Sequence, residues 1–348
     1  MIKIGKKNIG INYPPYVIAE ISANHQQSFA RAKKIITLAK KAGADAVKIQ
    51  SFDLDEMTLN LKNKDFIIND KKNLWYGKRL YNLYKKALTP KSWHKKIFNF
   101  CKKNKIQCFT SVFDLKTANF LKQFNLPAFK VASFENNHIP LINYLIKFNK
   151  PIIISTGMCS LKDVEKIINN FKKKKFKNFI LLKCNSSYPT NPKEINISSI
   201  KYLRKKFECE YGLSDHTQGI GASVASVSHG STVIEKHIVL KKKDKSLDEP
   251  FSLDPKQFSI LVKEVRNAWL AQGDGIQRVS KSEKKFLFLK RSIYLSKDVK
   301  KNEILTNNNI KIIRPGYGLK PENLSKVLNK KFKKQYKVGT PLTFQMLK

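Results

Sequence analysis

Two histidines, His216 and His237, stand beside charged or hydroxyl side chains in the stretch YGLSDHTQGIGASVASVSHGSTVIEKHIVL, residues 211–240. Neutral imidazoles are good ligands for a borderline divalent metal, which would keep open positions for water and substrate oxygens. A spacing this long is not a local metal motif such as HxxxH, and taken alone it favours hydrogen-bonded strand-end histidines with no metal. Lysines suggest a second chemistry. Lys48, Lys130, Lys183 and Lys236 sit inside four otherwise apolar runs, where an ion is costly unless paired or used. Together with nearby hydroxyls they describe a site for phosphate and carboxylate groups. Singly, each can face solvent or pair with Glu20 or Glu235.

The segments that carry these residues alternate regularly. Eight apolar, β-branched runs cover 17–22, 46–52, 107–112, 128–133, 151–156, 178–184, 208–214 and 232–240. Amphipathic stretches of helical period follow them at 30–41, 91–103, 115–124, 139–148, 161–172, 195–206, 221–228 and 255–270. Thr89 before Pro90 reads as an N-cap with a first-turn proline, and Ser160 with Asp163 as a capping box. Eight β-then-α units predict an α/β protein with a (β/α)8 TIM barrel. An open doubly wound sheet is the alternative, but it would want a glycine-rich loop after the first strand, and ISANHQQS is not one.

A hairpin turning at Gly5–Asn8 is expected ahead of the barrel. The long insertion from Asp53 to Leu88 falls between the second strand and its helix, where such a loop either covers the mouth of the barrel or is a surface excursion. The expected domains are a barrel at 1–272, a linker at 273–290 and a small β-rich appendage at 291–348.

The formal net charge of +42 raises nucleic acid or an anionic membrane as a partner. Only seven of the 68 basic side chains are arginines, the residue that base and phosphate recognition favours, and the lysines are spread along the chain. No zinc finger, RNP-type or helix-turn-helix signature is present, so a lysine-rich coding bias on solvated faces explains the charge better than a nucleic-acid function. Five cysteines without a CxxC fit free thiols in a reducing cytoplasm. No signal-peptide order and no membrane-length apolar run is found.

In a barrel of this type, chemistry gathers at the C-terminal ends of the strands. The polar residues there are Glu20, Asn24 and His25, then Lys48 and Gln50, then Thr110 and Ser111. Lys130, Ser133, Glu135, Ser155 and Thr156 follow. The last three strands offer Lys183, Asn185, Ser186 and Tyr188, then Ser214, Asp215 and His216, then Glu235, Lys236 and His237.

The ordered segments AEISANHQQS, GADAVKIQSF, FKVASFE, IISTGM, KCNSSYPT, GLSDHT and VIEKH, with a later IIRPGYGL, resemble the sialic acid synthase family almost end to end. That resemblance implies condensation of phosphoenolpyruvate with an N-acetylated sugar, a barrel followed by an antifreeze-like (SAF) domain, and a domain-swapped homodimer. ISANH, LDEPFSLDP and RPGYGL look most like the pseudaminic acid branch, whose sugar is 2,4-diacetamido-2,4,6-trideoxy-L-altrose. N-acetylneuraminate and legionaminate synthases are the near alternatives. The chain reads KKKDKSLDEP where the family often has Gly-Pro-Asp, which leaves sugar contacts from that loop open.

Carried over motif by motif, the resemblance implies that Lys48, Thr110, Lys130, Ser133, Ser155, Asn185 and Ser214 hold phosphoenolpyruvate. It gives Gln50, Glu135, Tyr188 and Arg314 to the sugar, Arg314 reaching a partner's barrel. Glu20 and Glu135 become the acid/base candidates. His216 and His237 become ligands of a divalent metal, Mn2+ first, with Mg2+ or Co2+ as substitutes. A non-enzymatic polyanion-binding protein would explain the charge but not the ordered polar strand ends. A Schiff-base aldolase using Lys48, Lys130 or Lys183 would leave the two histidines without a role.

Overall fold

All eight apolar runs become strands of one parallel sheet, shown by a computed structural model that describes residues 1–348. The strands are β3 (Tyr16–Glu20), β4 (Ala46–Ser51), β5 (Gln107–Val112), β6 (Phe129–Val131), β7 (Ile152–Ser155), β8 (Phe179–Cys184), β9 (Glu210–Asp215) and β10 (Val233–His237). They pair in sequence order, and β10 closes on β3, with His237 opposite Glu20. The chain divides at Met1–Gly273 and Asp274–Lys348.

Helices α1 (Phe29–Lys41), α4 (His94–Lys103), α5 (Leu115–Leu121), α6 (Ile139–Ile146), α7 (Leu161–Lys173), α8 (Ser199–Phe207), α9 (Gly221–Ser228) and α10 (Pro255–Ala271) follow the strands. The insertion adds α2 (Leu54–Met57) and α3 (Leu80–Ala87). Of the two start signals read in the sequence, one acts as expected. Ser160 and Asp163 form a reciprocal capping box on α7, and Asp254 with Gln257 forms another on α10. Thr89 is the exception: its hydroxyl is buried without a hydrogen-bond partner, and the chain makes a 3-10 turn at Lys91–Trp93 before α4 begins. Glu208 does not open the seventh strand either. It is the left-handed residue that ends α8.

The barrel interior has two zones. Its lower zone is apolar, built by Tyr16, Ile18, Ala46, Phe109, Ile153, Ile180, Leu182 and Val233. The hairpin β1 (Ile2–Ile4) and β2 (Lys7–Ile9) packs Ile2, Ile4 and Ile9 onto this plug. A second, larger apolar layer lies between strands and helices and includes Val47, Ile49, Val112, Val131, Ile154 and Leu213. The upper interior is polar, and that contrast places the chemistry at one end. The second unit carries the antiparallel pair β11 (Ser292–Leu295) and β12 (Ile310–Ile313) around a small core of its own, including Ile293, Val299, Phe332 and Leu342. No helix is long and apolar enough to cross a membrane, and all five cysteines are unpaired.

Gly212 marks the tightest point of the barrel wall. A Cβ there would sit 2.1 Å from the Val233 carbonyl oxygen and 2.9 Å from the Leu182 side chain. Backbone cannot yield as a side chain tip can, so Gly212→Ala is expected to cost about 3 kcal/mol through separation of β9 from β10. Denaturant unfolding of the purified variant checks this.

Candidate active site

Strand parity decides which side chains meet, because alternate residues face the barrel interior. At the C-terminal end these are Glu20, Lys48, Gln50, Ser111, Lys130, Ser155, Cys184, Ser214, Glu235 and His237, all lining a cavity of about 340 Å³. Ser133, Glu135, Tyr188 and His216 reach the same cavity from the turns that follow their strands.

Four ions form its floor. Lys48 Nζ lies 2.7 Å from Glu20 Oε2 and 3.1 Å from Glu235 Oε2, and donates to Ser111 Oγ at 2.9 Å. Lys130 Nζ donates to Ser155 Oγ at 2.6 Å and stands 4.0 Å from Glu235 Oε1. Ser214 Oγ donates to the same Glu235 oxygen at 2.9 Å. Burial works against the Glu235 carboxylate, but Lys130 and Lys48 outweigh it and hold the group down at about 2.

Glu20 has less help. Burial pushes it up to about 7 despite Lys48, with the charge of Glu235 adding to the rise. Glu135 is also raised to about 7 by burial, against the opposing pull of Lys130. Burial brings Lys130 down to about 8, with Glu235 resisting. Two carboxyl groups able to exchange protons near neutrality therefore share the cavity with two ammonium groups.

The histidines sit beside this floor with ring centroids 5.3 Å apart. His216 Nδ1 donates to the Asn185 carbonyl oxygen at 3.0 Å, which leaves the Nε2 lone pair for a ligand. His237 Nδ1 is buried with no hydrogen-bond partner, its nearest carboxylate oxygen being Asp248 Oδ2 at 3.8 Å. Burial and the neighbouring cations keep His237 neutral. An oriented imidazole and an orphaned one fit a divalent cation. No group of three or more His, Cys, Asp or Glu side chains forms a closed metal cage, so further ligands would be water and substrate.

Two expected site residues do not join the cavity. Thr110 faces outward from β5, where its hydroxyl lies 2.6 Å from Ser51 Oγ and donates to the Ile49 carbonyl at 3.1 Å. Ser111, one residue on, takes the inward place. Asn185 turns its side chain into its own loop, accepting from Ser187 N at 2.9 Å and donating to the Glu194 carbonyl at 3.4 Å. Only its carbonyl serves the site, through His216. Arg314 belongs to the second unit.

The four converging lysines reduce to two for the same reason of parity. Lys183 is half-buried and lies outside the cavity. Lys236 is fully buried and paired with Asp215 Oδ2 at 2.9 Å, also donating to the Thr217 carbonyl. Asp215 accepts in addition from Thr217 N at 2.8 Å and Ser223 Oγ at 2.6 Å. Because Lys236 and Asp215 are register partners, each next to a histidine, their pair ties the two histidine-bearing strand ends together. Asp248, whose Oδ2 accepts from Ala23 N at 3.2 Å, lies in LDEPFSLDP, where the resemblance marks the segment without singling out this carboxylate. Cys184 carried no visible signal. Burial pushes its thiol up, but His216 and Lys130 draw it down to about 7.

Replacing Lys236 with Met leaves the Asp215 carboxylate buried without its cation. The expected loss is about 3 kcal/mol, partly recovered in the double variant with Asp215→Asn. Denaturant unfolding of the two single variants and the double variant tests this coupling.

The chain matches the NeuB family over residues 35–277 and the SAF domain over residues 290–348. It is 42% identical over 335 residues to the pseudaminic acid synthase of Campylobacter jejuni subsp. jejuni serotype O:2, covering 96% of this chain and 97% of the relative. To the N,N'-diacetyllegionaminic acid synthase of the same organism it is 35% identical over 324 residues, covering 92% and 96%. Among solved structures, the N-acetylneuraminic acid (sialic acid) synthetase of Leptospira borgpetersenii serovar Hardjo-bovis, in complex with citrate, superposes with a TM-score of 0.73 at 31% identity. That match covers 82% of this chain and 94% of the other. With its polar barrel mouth, its two strand-end histidines and these full-length likenesses, the chain belongs to the NeuB family of sialic acid synthases.

Proposed function

We propose that this enzyme condenses phosphoenolpyruvate with 2,4-diacetamido-2,4,6-trideoxy-L-altrose, giving pseudaminic acid and phosphate. The observation that carries the choice of sugar is the full-length likeness to a pseudaminic acid synthase, which exceeds the likeness to a legionaminic acid synthase of the same organism. N-acetylneuraminate and legionaminate synthesis are the competing readings.

The ammonium groups of Lys48 and Lys130 face the carboxylate and phosphate of phosphoenolpyruvate, and Ser111, Ser133, Ser155 and Ser214 supply hydroxyls that fix its orientation. A divalent cation held by His216 and His237, Mn2+ first and Mg2+ or Co2+ in its place, would polarise the aldehyde oxygen of the open-chain sugar. The enolpyruvate C3 attacks that aldehyde carbon, forming the new carbon–carbon bond and leaving C2 electron-poor, while the carbonyl π pair moves to the aldehyde oxygen, which takes a proton from Glu135 to become a hydroxyl. Water adds at C2 as Glu20 takes its proton, and the resulting tetrahedral centre breaks its bond to phosphate. Glu135, Gln50 and Tyr188 contact the sugar. A homodimer in which a second copy supplies Arg314 to the acyl group completes this reading.

The sugar is tested by phosphate release from phosphoenolpyruvate with Mn2+, offering the diacetamido-trideoxy-altrose, the legionaminate precursor and N-acetylmannosamine in parallel. Release with the first is expected, and release with only another sugar moves the enzyme to that branch. Base catalysis makes a second prediction. Glu20 is protonated below about 7, so kcat/KM falls as pH drops through that value. Glu20→Gln lowers kcat by roughly 10²–10⁴-fold with little change in the KM for phosphoenolpyruvate. An unchanged kcat assigns the base elsewhere.

A further inference from the structure

The cavity has two faces of opposite character. Opposite the charged floor, the insertion supplies Ile68, Trp75, Leu80, Leu83 and Tyr84, with Phe113 from the next strand end. This wall holds one polar group with nothing to bond: Trp75 Nε1 is buried and has no hydrogen-bond partner. An unmet buried N–H is destabilising, and an acceptor on a ligand would remove that penalty.

The position of Trp75 says which part of a ligand would reach it. Its ring centroid is 5.7 Å from that of Tyr188, which in turn is 4.6 Å from that of His216. Trp75 is therefore two ring contacts away from the histidines at which the sugar aldehyde would react. A chain of six carbons anchored by its aldehyde brings its far half, C4 to C6, against this wall. Hydroxyl groups at C4 and C6 would lose water there and gain no partner, whereas an acyl or C6 methyl group would be buried favourably.

We propose that Trp75, Leu80 and Leu83 form a subsite that selects sugars carrying an N-acyl group at C4 and a deoxygenated C6. Trp75 Nε1–H donates to the acyl carbonyl oxygen, and the leucines cover the C6 methyl. This inference rests on the proposed function and deepens it. The subsite favours both diacetamido-trideoxy sugars over N-acetylmannosamine and does not separate the two from each other.

Steady-state kinetics at saturating phosphoenolpyruvate and Mn2+ test this, with the diacetamido-trideoxy-altrose and N-acetylmannosamine as varied substrates. Trp75→Phe keeps a ring and removes the N–H. Its KM for the diacetamido sugar is expected to rise about 10-fold, with kcat and the KM for phosphoenolpyruvate held within roughly twofold as the control for folding. Leu83→Asn is expected to narrow the wild-type preference for the diacetamido sugar by about 10-fold in kcat/KM. A sugar KM unchanged in Trp75→Phe, or wild-type use of both sugars with equal kcat/KM, overturns the subsite and leaves the function standing. No turnover of either sugar or of the legionaminate precursor by the folded wild type overturns the function, and the subsite with it.

Discussion

Everything at the mouth of this barrel depends on burying four ions together. Glu20, Lys48, Lys130 and Glu235 are each at most 3% exposed, and an isolated ion in such a place would cost several kcal/mol. The closed ring of strands makes their burial tolerable by holding each carboxylate against an ammonium group. The match is incomplete. Glu235 touches both lysines and a serine and stays ionised, whereas Glu20 shares Lys48 with it and has its proton affinity raised to about 7. A floor that can change its own proton count is suited to admitting an anion, because the incoming charge takes over lysines that the carboxylates now occupy.

The histidines gain their geometry from outside the cavity. Asp215 and Lys236 point away from the barrel axis, yet they are adjacent in sequence to His216 and His237 and opposite each other in register. The ion pair therefore acts on the back of the sheet while the imidazoles work at the front. The insertion between β4 and α4 does the complementary job of closing the cavity with apolar side chains, in keeping with a ligand that is charged at one end and acylated and deoxygenated at the other.

The fold was largely legible because both of its periods are strong in the sequence. Every apolar run became a strand, and the capping box at Ser160 held. Errors arose where one position matters. A strand reverses its facing at each residue, so motif likeness points to Thr110 where its neighbour Ser111 turns inward, and Lys183 and Lys236 face away from Lys48 and Lys130. Motif likeness fixes which segment contributes but not which of two adjacent side chains turns inward. Asn185 illustrates a different limit, since its side chain is spent on its own loop and its carbonyl does the work. Trp75 lies in an insertion, where neither periodicity nor resemblance points to it, and Asp248 lies in LDEPFSLDP, where the resemblance marks the segment but not this carboxylate.

The central claim is that an anion enters by displacing the internal balance of the four ions, and proton counting tests it most directly. Phosphoenolpyruvate is titrated calorimetrically into the enzyme at pH 8 in buffers of different ionisation enthalpy. An anion beside Lys130, at about 8, raises it, so the account predicts net proton uptake on binding that shrinks in Lys130→Arg, which keeps the charge but does not titrate. Tight binding with no proton uptake, or with proton release, would contradict it.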